Sequence, residues 1–142
     1  MSEDLYQKAI LRLAGSALGA GRLHGACCTG REANAMCGDV VTFDVRVDPA
    51  GRVTETANEL KGCVLVQASA ALLAEHAAGH SKSDIEALRA GVAAMLDGGP
   101  VPEGAWAAYE AFKPAAAYRS RHSCVLLPID ALAKALTDCS AS

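Results

Sequence analysis

At 142 residues with a 51% hydrophobic share, the chain is large enough to bury one core, but only 4% of it is aromatic, so that core must be built from small side chains and closely packed helices. The net charge of −3 leaves no basic footprint and excludes nucleic acid as the expected partner. The start Met1-Ser2-Glu3-Asp4 lacks the basic and apolar regions of a secretory signal. The longest uncharged apolar run, residues 62–74, falls short of the ~20 residues that cross a bilayer. One cytoplasmic domain over residues 1–142, away from membranes, is therefore expected. In that compartment the six cysteines should be free, metal-bound or catalytic rather than paired in structural disulfides.

Leu5, Ala9, Ile10, Leu13 and Ala17 recur at three- and four-residue steps, which predicts a helix over residues 4–18, frayed by Gly15, Gly19 and Gly21. Residues 26–33 carry a weaker pattern, that of a short edge strand. Residues 41–47, VTFDVRV, alternate apolar and polar side chains as a half-buried strand does. Asp48-Pro49-Ala50-Gly51 has turn chemistry, and residues 52–59 read as the returning strand of a hairpin. After Cys63 the composition becomes helical over residues 64–78, with Gly79 placed as a C′ glycine. Ser83-Asp84-Ile85-Glu86 fits a capping box ahead of Ile85, Leu88, Val92, Met95 and Leu96, and Gly98-Gly99-Pro100 stops that helix. A shorter helix over 103–112 carries Trp106 and Tyr109. Residues 113–123 read as a basic, proline-containing loop, and a last helix over 124–136 turns Leu132 and Leu136 inward. Strands first and helices after them predict an α+β fold: a small antiparallel sheet of about three strands, with helices packed on one face.

With no CxxC pair in the chain, any metal site must collect ligands from distant segments. Cys37 precedes the first clear strand, Cys63 opens a helix after the hairpin, and Cys124 opens the last helix. At a helix start the unpaired backbone N–H groups and the dipole favour the thiolate, the form that binds metal and attacks sulfur. An isolated Cys-Gly-Asp is more often a turn than a site. In an extended segment, though, residues two apart face the same side, so Cys37 and Asp39 could approach one ion, with Gly38 leaving the approach uncrowded. Three thiolates and a carboxylate suit zinc, or iron in a cluster, and a lone hard oxygen among soft sulfurs marks an exchangeable position. Other groups have plainer readings. Cys27 and Cys28 would face opposite sides of a strand as packing residues, and Cys139, near the end of the chain, would be a bystander. His76 and His80 suit the end of a helix as dipole partners, while Trp106, Tyr109 and Phe112 suit the core or a partner face.

Residues 34–39, NAMCGD, resemble the Asn-Pro-x-Cys-Gly-Asp motif of the IscU/NifU-type iron–sulfur cluster assembly scaffolds. Residues 61–69, KGCVLVQAS, are similar to that family's second motif, and residues 121–132, RHSCVLLPIDAL, to its third. The motifs come in the family's order and span most of the chain. The long stretch from Cys63 to Cys124, with two predicted helices, resembles the SufU branch. Tyr118-Arg119-Ser120-Arg121 stands where the IscU branch carries a Leu-Pro-Pro-Val-Lys chaperone-binding sequence, so no chaperone partner is implied.

The resemblance implies an iron–sulfur assembly scaffold with Cys37, Asp39, Cys63 and Cys124 as ligands to Zn2+ or a [2Fe–2S] cluster. It implies Cys37 as the acceptor of persulfide sulfur from a PLP-dependent cysteine desulfurase, with Gly38, Arg121 and His122 in support. Apo iron–sulfur acceptor proteins or a downstream scaffold would receive the product. The chain departs from the motifs at Ala35, where proline is usual, and at Ser123, where lysine or histidine is usual. It also carries LAGSALGAGRL over residues 13–23, where an Asn-Pro-Arg stretch is expected. Three functions stay open: a cluster scaffold, a zinc-dependent sulfurtransferase that relays sulfur without holding a cluster, and a small domain with a purely structural metal. The first two are a scaffold or sulfur acceptor rather than a conventional enzyme.

Overall fold

Alternation in residues 41–47 has the outcome that the two-residue period of a strand dictates: Val41, Phe43 and Val45 are fully buried side by side. In the computed structural model, which describes residues 7–35 and 37–141, they lie on the central strand of an antiparallel sheet. Among the described residues the elements are α1 (Lys8–Ser16), β1 (Cys28–Asn34), β2 (Asp39–Val47), β3 (Val53–Lys61), α2 (Val64–His76), α3 (Lys82–Leu96), a 3₁₀ segment (Gly104–Ala117) and α4 (Arg119–Ala141). The sheet order is β1-β2-β3. α4 packs along β1 and β2, α2 lies beside α4, and α1 and α3 pack on these two helices. The α+β expectation of a three-stranded sheet with helices on one face is borne out. The first residues of the predicted opening helix, Asp4 and Leu5, lie outside the described residues. No described helix is long and apolar enough to cross a membrane.

The β2–β3 turn is built by Asp48, whose carboxylate accepts the N–H groups of Ala50 at 2.9 Å and Arg52 at 3.0 Å. On the face of β2 away from the helices sits a charged group, Asp44, only 1% exposed. Arg22 grips it from both sides, Nε to Oδ2 at 2.7 Å and Nη2 to Oδ1 at 3.0 Å, and the Thr29 hydroxyl and the Leu23 N–H donate to it as well. The hydrogen bonds from Arg22, opposed by burial and helped by those from Thr29 and Leu23, hold its pKa down at about 2.

Several boundaries differ from those expected. The capping box of α3 is Ser81 with Asp84, the Ser81 Oγ accepting the Asp84 N–H and the Asp84 carboxylate accepting the Ser81 N–H. Asp fills the role that the sequence pattern reserved for Glu86, so the box starts two residues earlier than Ser83. Ala77 caps α2, and Gly79 lies two residues beyond it with φ +89°, where its N–H reaches the Val53 carbonyl. Residues 103–112 are not a regular helix. Trp106, Tyr109, Phe112 and Ala115 are buried at steps of three, the repeat of a 3₁₀ helix, and the segment carries on through Pro114 to Ala117. At α2's C-terminal end, His76 and His80 meet Trp106 with ring centroids 5.9 and 5.0 Å away. The predicted loop over 113–123 is therefore absent: α4 starts at Arg119 and runs for 23 residues, with Pro128 inside it.

The largest correction concerns Cys28 and Cys139. They form a disulfide between β1 and α4, with Cα atoms 5.4 Å apart, rather than serving as a packing residue and a bystander. The strand and helix can come so close because Gly30 has no side chain. A Cβ there would lie 2.3 Å from the Ala131 carbonyl oxygen and from the Ala135 nitrogen.

Candidate metal centre

The β1–β2 hairpin closes on the pair Asn34 and Asp39, leaving a four-residue loop, 35–38, at the end of the sheet. The Asn34 carbonyl accepts the N–H groups of Cys37 at 3.2 Å and Gly38 at 2.8 Å, so the loop is a tight turn and not the extended segment expected. The role of Gly38 changes with it. The space where its Cβ would lie is open, so crowding is not the issue; its φ of +74° is the left-handed conformation that glycine adopts without strain. The turn is what brings Cys37 and Asp39 to one side.

Cys37, Asp39 and Cys124 each place a ligand atom within 4.8 Å of the other two. Cys124 Sγ lies 3.7 Å from Asp39 Oδ2. Cys63, the N-cap residue of α2, stands outside that trio; it is close enough to Cys124 for each thiol to shift the other's titration. The four expected ligands thus come from four places: the hairpin loop, the start of β2, the start of α2 and the second turn of α4. Burial falls from the inside outward. Cys124 is fully buried and Asp39 is 6% exposed, whereas Cys63 is half-buried and Cys37 is exposed.

The two inner thiols titrate in opposite directions. The hydrogen bond from Cys124 lowers the Cys63 pKa to about 6, against the opposing effect of burial, and the Val66 and Leu65 N–H groups at the start of α2 add to the lowering. Cys124 is pushed up by its hydrogen bond to Cys63, by burial, and by the negative charges of Cys63, Asp39 and Cys37. The helix-start argument therefore holds for Cys63 and fails for Cys124, which lies well inside α4 because that helix begins at Arg119.

Both nitrogens of His122 are engaged elsewhere. Nε2 lies 3.1 Å from the Ala116 carbonyl and Nδ1 3.9 Å from the Asp97 carboxylate, so the ring is not turned toward the cysteines. Arg121 is three residues before Cys124 in the first turn of α4, on the adjoining helix face. Two supporting contacts escape the sequence reading. The Asn34 side-chain amide donates to Ser123 Oγ at 2.9 Å. Ser69, fully buried at the end of the second motif, donates to the Val125 carbonyl at 2.8 Å and meets the Tyr109 hydroxyl at 2.9 Å. A lone serine in the apolar stretch of α2 from Ala68 to Ala74 is the signal that could have marked it.

Residues 5–125 match the NifU-like N terminal domain family. The chain is 31% identical over 132 residues to the iron-sulfur cluster assembly scaffold protein IscU of Thermotoga maritima, covering 93% of this chain and 92% of that one. Its fold is similar to that of a NifU-like protein (N-terminal) from Brucella abortus, with a TM-score of 0.90, 33% identity, and coverage of 99% and 98% of the two chains. It is also similar to an iron-sulfur cluster assembly scaffold protein for the SUF system from Fervidobacterium islandicum, with a TM-score of 0.86, 25% identity, and coverage of 96% and 99%. On the family match over most of its length and the likeness to the Thermotoga protein over nearly all of both chains, this chain belongs to the NifU-like N-terminal domain family.

Proposed function

We propose that the chain is a sulfur-accepting scaffold for iron–sulfur cluster assembly, with Cys37, Asp39, Cys63 and Cys124 as its metal ligands and Cys37 as the persulfide acceptor. The observation that carries this reading is the meeting of Cys37, Asp39 and Cys124 within 4.8 Å, from segments up to 87 residues apart. The likeness to the IscU scaffold and to the SUF-system protein supports it. The donor set fits the group. Ligands about 2.0 to 2.3 Å from a zinc ion lie roughly 3.5 Å from one another, and the 3.7 Å between Cys124 Sγ and Asp39 Oδ2 is of that size.

When bound, zinc supplies the positive charge that keeps neighbouring thiolates deprotonated; a [2Fe–2S] cluster is the cargo assembled on the same residues. Cys37 is the exposed member on the hairpin loop, so it can meet a partner without displacing α2 or α4. Its thiolate attacks the outer sulfur of the persulfide on a PLP-dependent cysteine desulfurase. The S–S bond of that persulfide breaks, the electron pair leaves on the desulfurase cysteine, and Cys37 carries the new persulfide. Asp39, Cys63 and Cys124 stay behind, the Cys63 pKa lowered by Cys124 first and then by the N–H groups at the start of α2. Apo iron–sulfur proteins or a downstream scaffold take the product.

A second reading, a zinc-dependent relay that never holds a cluster, draws on the single carboxylate in the donor set. Sulfur transfer from a desulfurase charged with radiolabelled cysteine tests both, and a Cys37→Ser chain should accept no label. Acceptance at the wild-type rate would overturn both readings. Elemental content of anaerobically purified protein then separates them: zinc without iron or sulfide favours the relay, iron with matching acid-labile sulfide the scaffold. A purely structural metal predicts instead that chelation unfolds the domain.

A further inference from the structure

Asp39, Asp44, Asn58 and Ser69 are the buried residues, among those described, that carry a charge, an amide or an aliphatic hydroxyl. Asp39 belongs to the metal centre, Asp44 is paired with Arg22, and the Asn58 amide reaches the Leu18 carbonyl. Ser69 has no such evident task, yet a buried hydroxyl is kept only where its bonds are made. Those bonds form a chain. The Ser69 hydroxyl gives its one proton to the Val125 carbonyl at 2.8 Å, so across the 2.9 Å to Tyr109 it is the tyrosine that donates. The 3₁₀ segment, α2 and α4 meet in this chain, and Tyr109, Ser69 and Val125 are all fully buried.

The contact falls where α4 cannot hold itself. Each helical N–H bonds to the carbonyl four residues earlier, and residue 128, whose N–H would serve the Cys124 carbonyl, is proline. The inner ligand's own peptide group lacks that helical bond, and the next carbonyl, that of Val125, is the one Ser69 takes up from α2. Cys63 caps the same α2, about 9 Å of helix before Ser69. A bond one residue from Cys124 and under two turns from Cys63 limits how far α4 slides or turns against α2. We propose that Ser69 is a positioning residue for the metal centre: by clamping the Val125 carbonyl to α2, it sets where Cys124 stands relative to Cys63. The proposal rests on the reading of these cysteines as metal ligands. Tyr109 supports the serine but does not touch α4's carbonyl, so its hydroxyl acts on stability more than on position.

The test uses the full chain, stripped of metal under anaerobic conditions and titrated with Co2+, whose visible and thiolate charge-transfer bands report ligand geometry. Ser69→Ala should weaken cobalt binding about tenfold, the lower end of what losing a supporting contact costs a metal site, and should shift the bands. Tyr109→Phe, which leaves the Ser69–Val125 bond in place, should bind cobalt as wild type does. Ser69→Ala also leaves the Tyr109 hydroxyl only the Ser69 carbonyl, 3.5 Å away, a loss that the double variant Ser69→Ala/Tyr109→Phe removes. The double variant should therefore regain most of its urea midpoint but not its cobalt affinity, and it carries the test if the single variant does not fold. Wild-type affinity and bands in the double variant would overturn the positioning role, as would an affinity that follows the urea midpoint across the three variants. A wild-type chain that binds no cobalt would instead overturn the ligand assignment, and this proposal with it.

Discussion

β1 and α4 lie side by side, and their two ends are closed in opposite ways. At one end Cys28 and Cys139 are joined covalently, and the Thr29 N–H donates to the Asp138 carboxylate beside them. At the other end Asn34 meets Ser123 through one hydrogen bond, and Cys37 and Cys124 face each other as thiols. Between the ends, about 24 Å of helix runs against about 20 Å of strand, seated on Gly30 and tied by Lys134 to the Arg31 carbonyl. The same side chain is paired covalently at one end and left as a thiol at the other, and its surroundings decide which. The disulfide is a closed pair, whereas the thiols at the site share their space with Asp39 and Cys63. Fixed at its far end, α4 is kept from sliding along β1.

Breaking the fixed end should have the largest effect on stability. Cys139→Ser, or Cys28→Ser, reopens a loop of 111 residues in the unfolded chain and should cost up to about 4 kcal/mol in urea denaturation. The double variant should lose no more than either single one, and wild type in reductant should fall to the same midpoint. Pushing the two elements apart in the middle comes next. Gly30→Ala places a methyl group against backbone atoms of α4 that have no rotamer to yield, and should cost about 3 kcal/mol. It should also raise the labelling of buried Cys124 by a thiol reagent. If the urea midpoint of Gly30→Ala matches wild type, the seam is looser than described.

The smallest effect concerns the back of the sheet, where Asp44 holds Arg22 and Thr29 beside the fixed end. Its folded pKa of about 2 lies below the ordinary 3.8, so its contribution is complete above about pH 4 and is lost as pH falls toward 2. Allowing for the half-exposed Arg22, that contribution is about 1 to 2 kcal/mol. Asp44→Asn should be less stable than wild type at pH 6, and the gap should shrink to about a third by pH 2.5 and close only below about pH 1.5. A gap that persists in acid would mean that shape rather than charge holds the contact. Ligand exchange at the open end should be the same in both proteins.

The parts of this arrangement that depend on local chemistry are legible in the sequence. VTFDVRV predicts a strand because successive side chains must face opposite ways, and Cys63 predicts a helix start because Gly62 precedes it and an apolar run follows. The three motifs bring Cys37, Asp39, Cys63 and Cys124 together as a set. The start of α4 is not legible, since Pro114 and the charges from Lys113 to Arg121 resemble a loop until the burial of every third residue from Trp106 to Ala115 is seen. That misplaced start is why Cys124 reads as a helix-start thiolate when its thiol is pushed the other way. The disulfide has no local signal at all. Cys28 and Cys139 meet because a helix lies antiparallel to an edge strand, which is a matter of topology and of the missing side chain at Gly30.

Trp106 is the one tryptophan in the chain, and it sits against His76 at the last residue of α2, while Cys63 sits at the first end of the same helix. The 13-residue helix puts about 20 Å between them. The intrinsic fluorescence of the protein is therefore a report from the helical layer alone. Loading or stripping the cysteine site should leave the emission spectrum where it was, and a shift on metal removal would show that the helices themselves had moved.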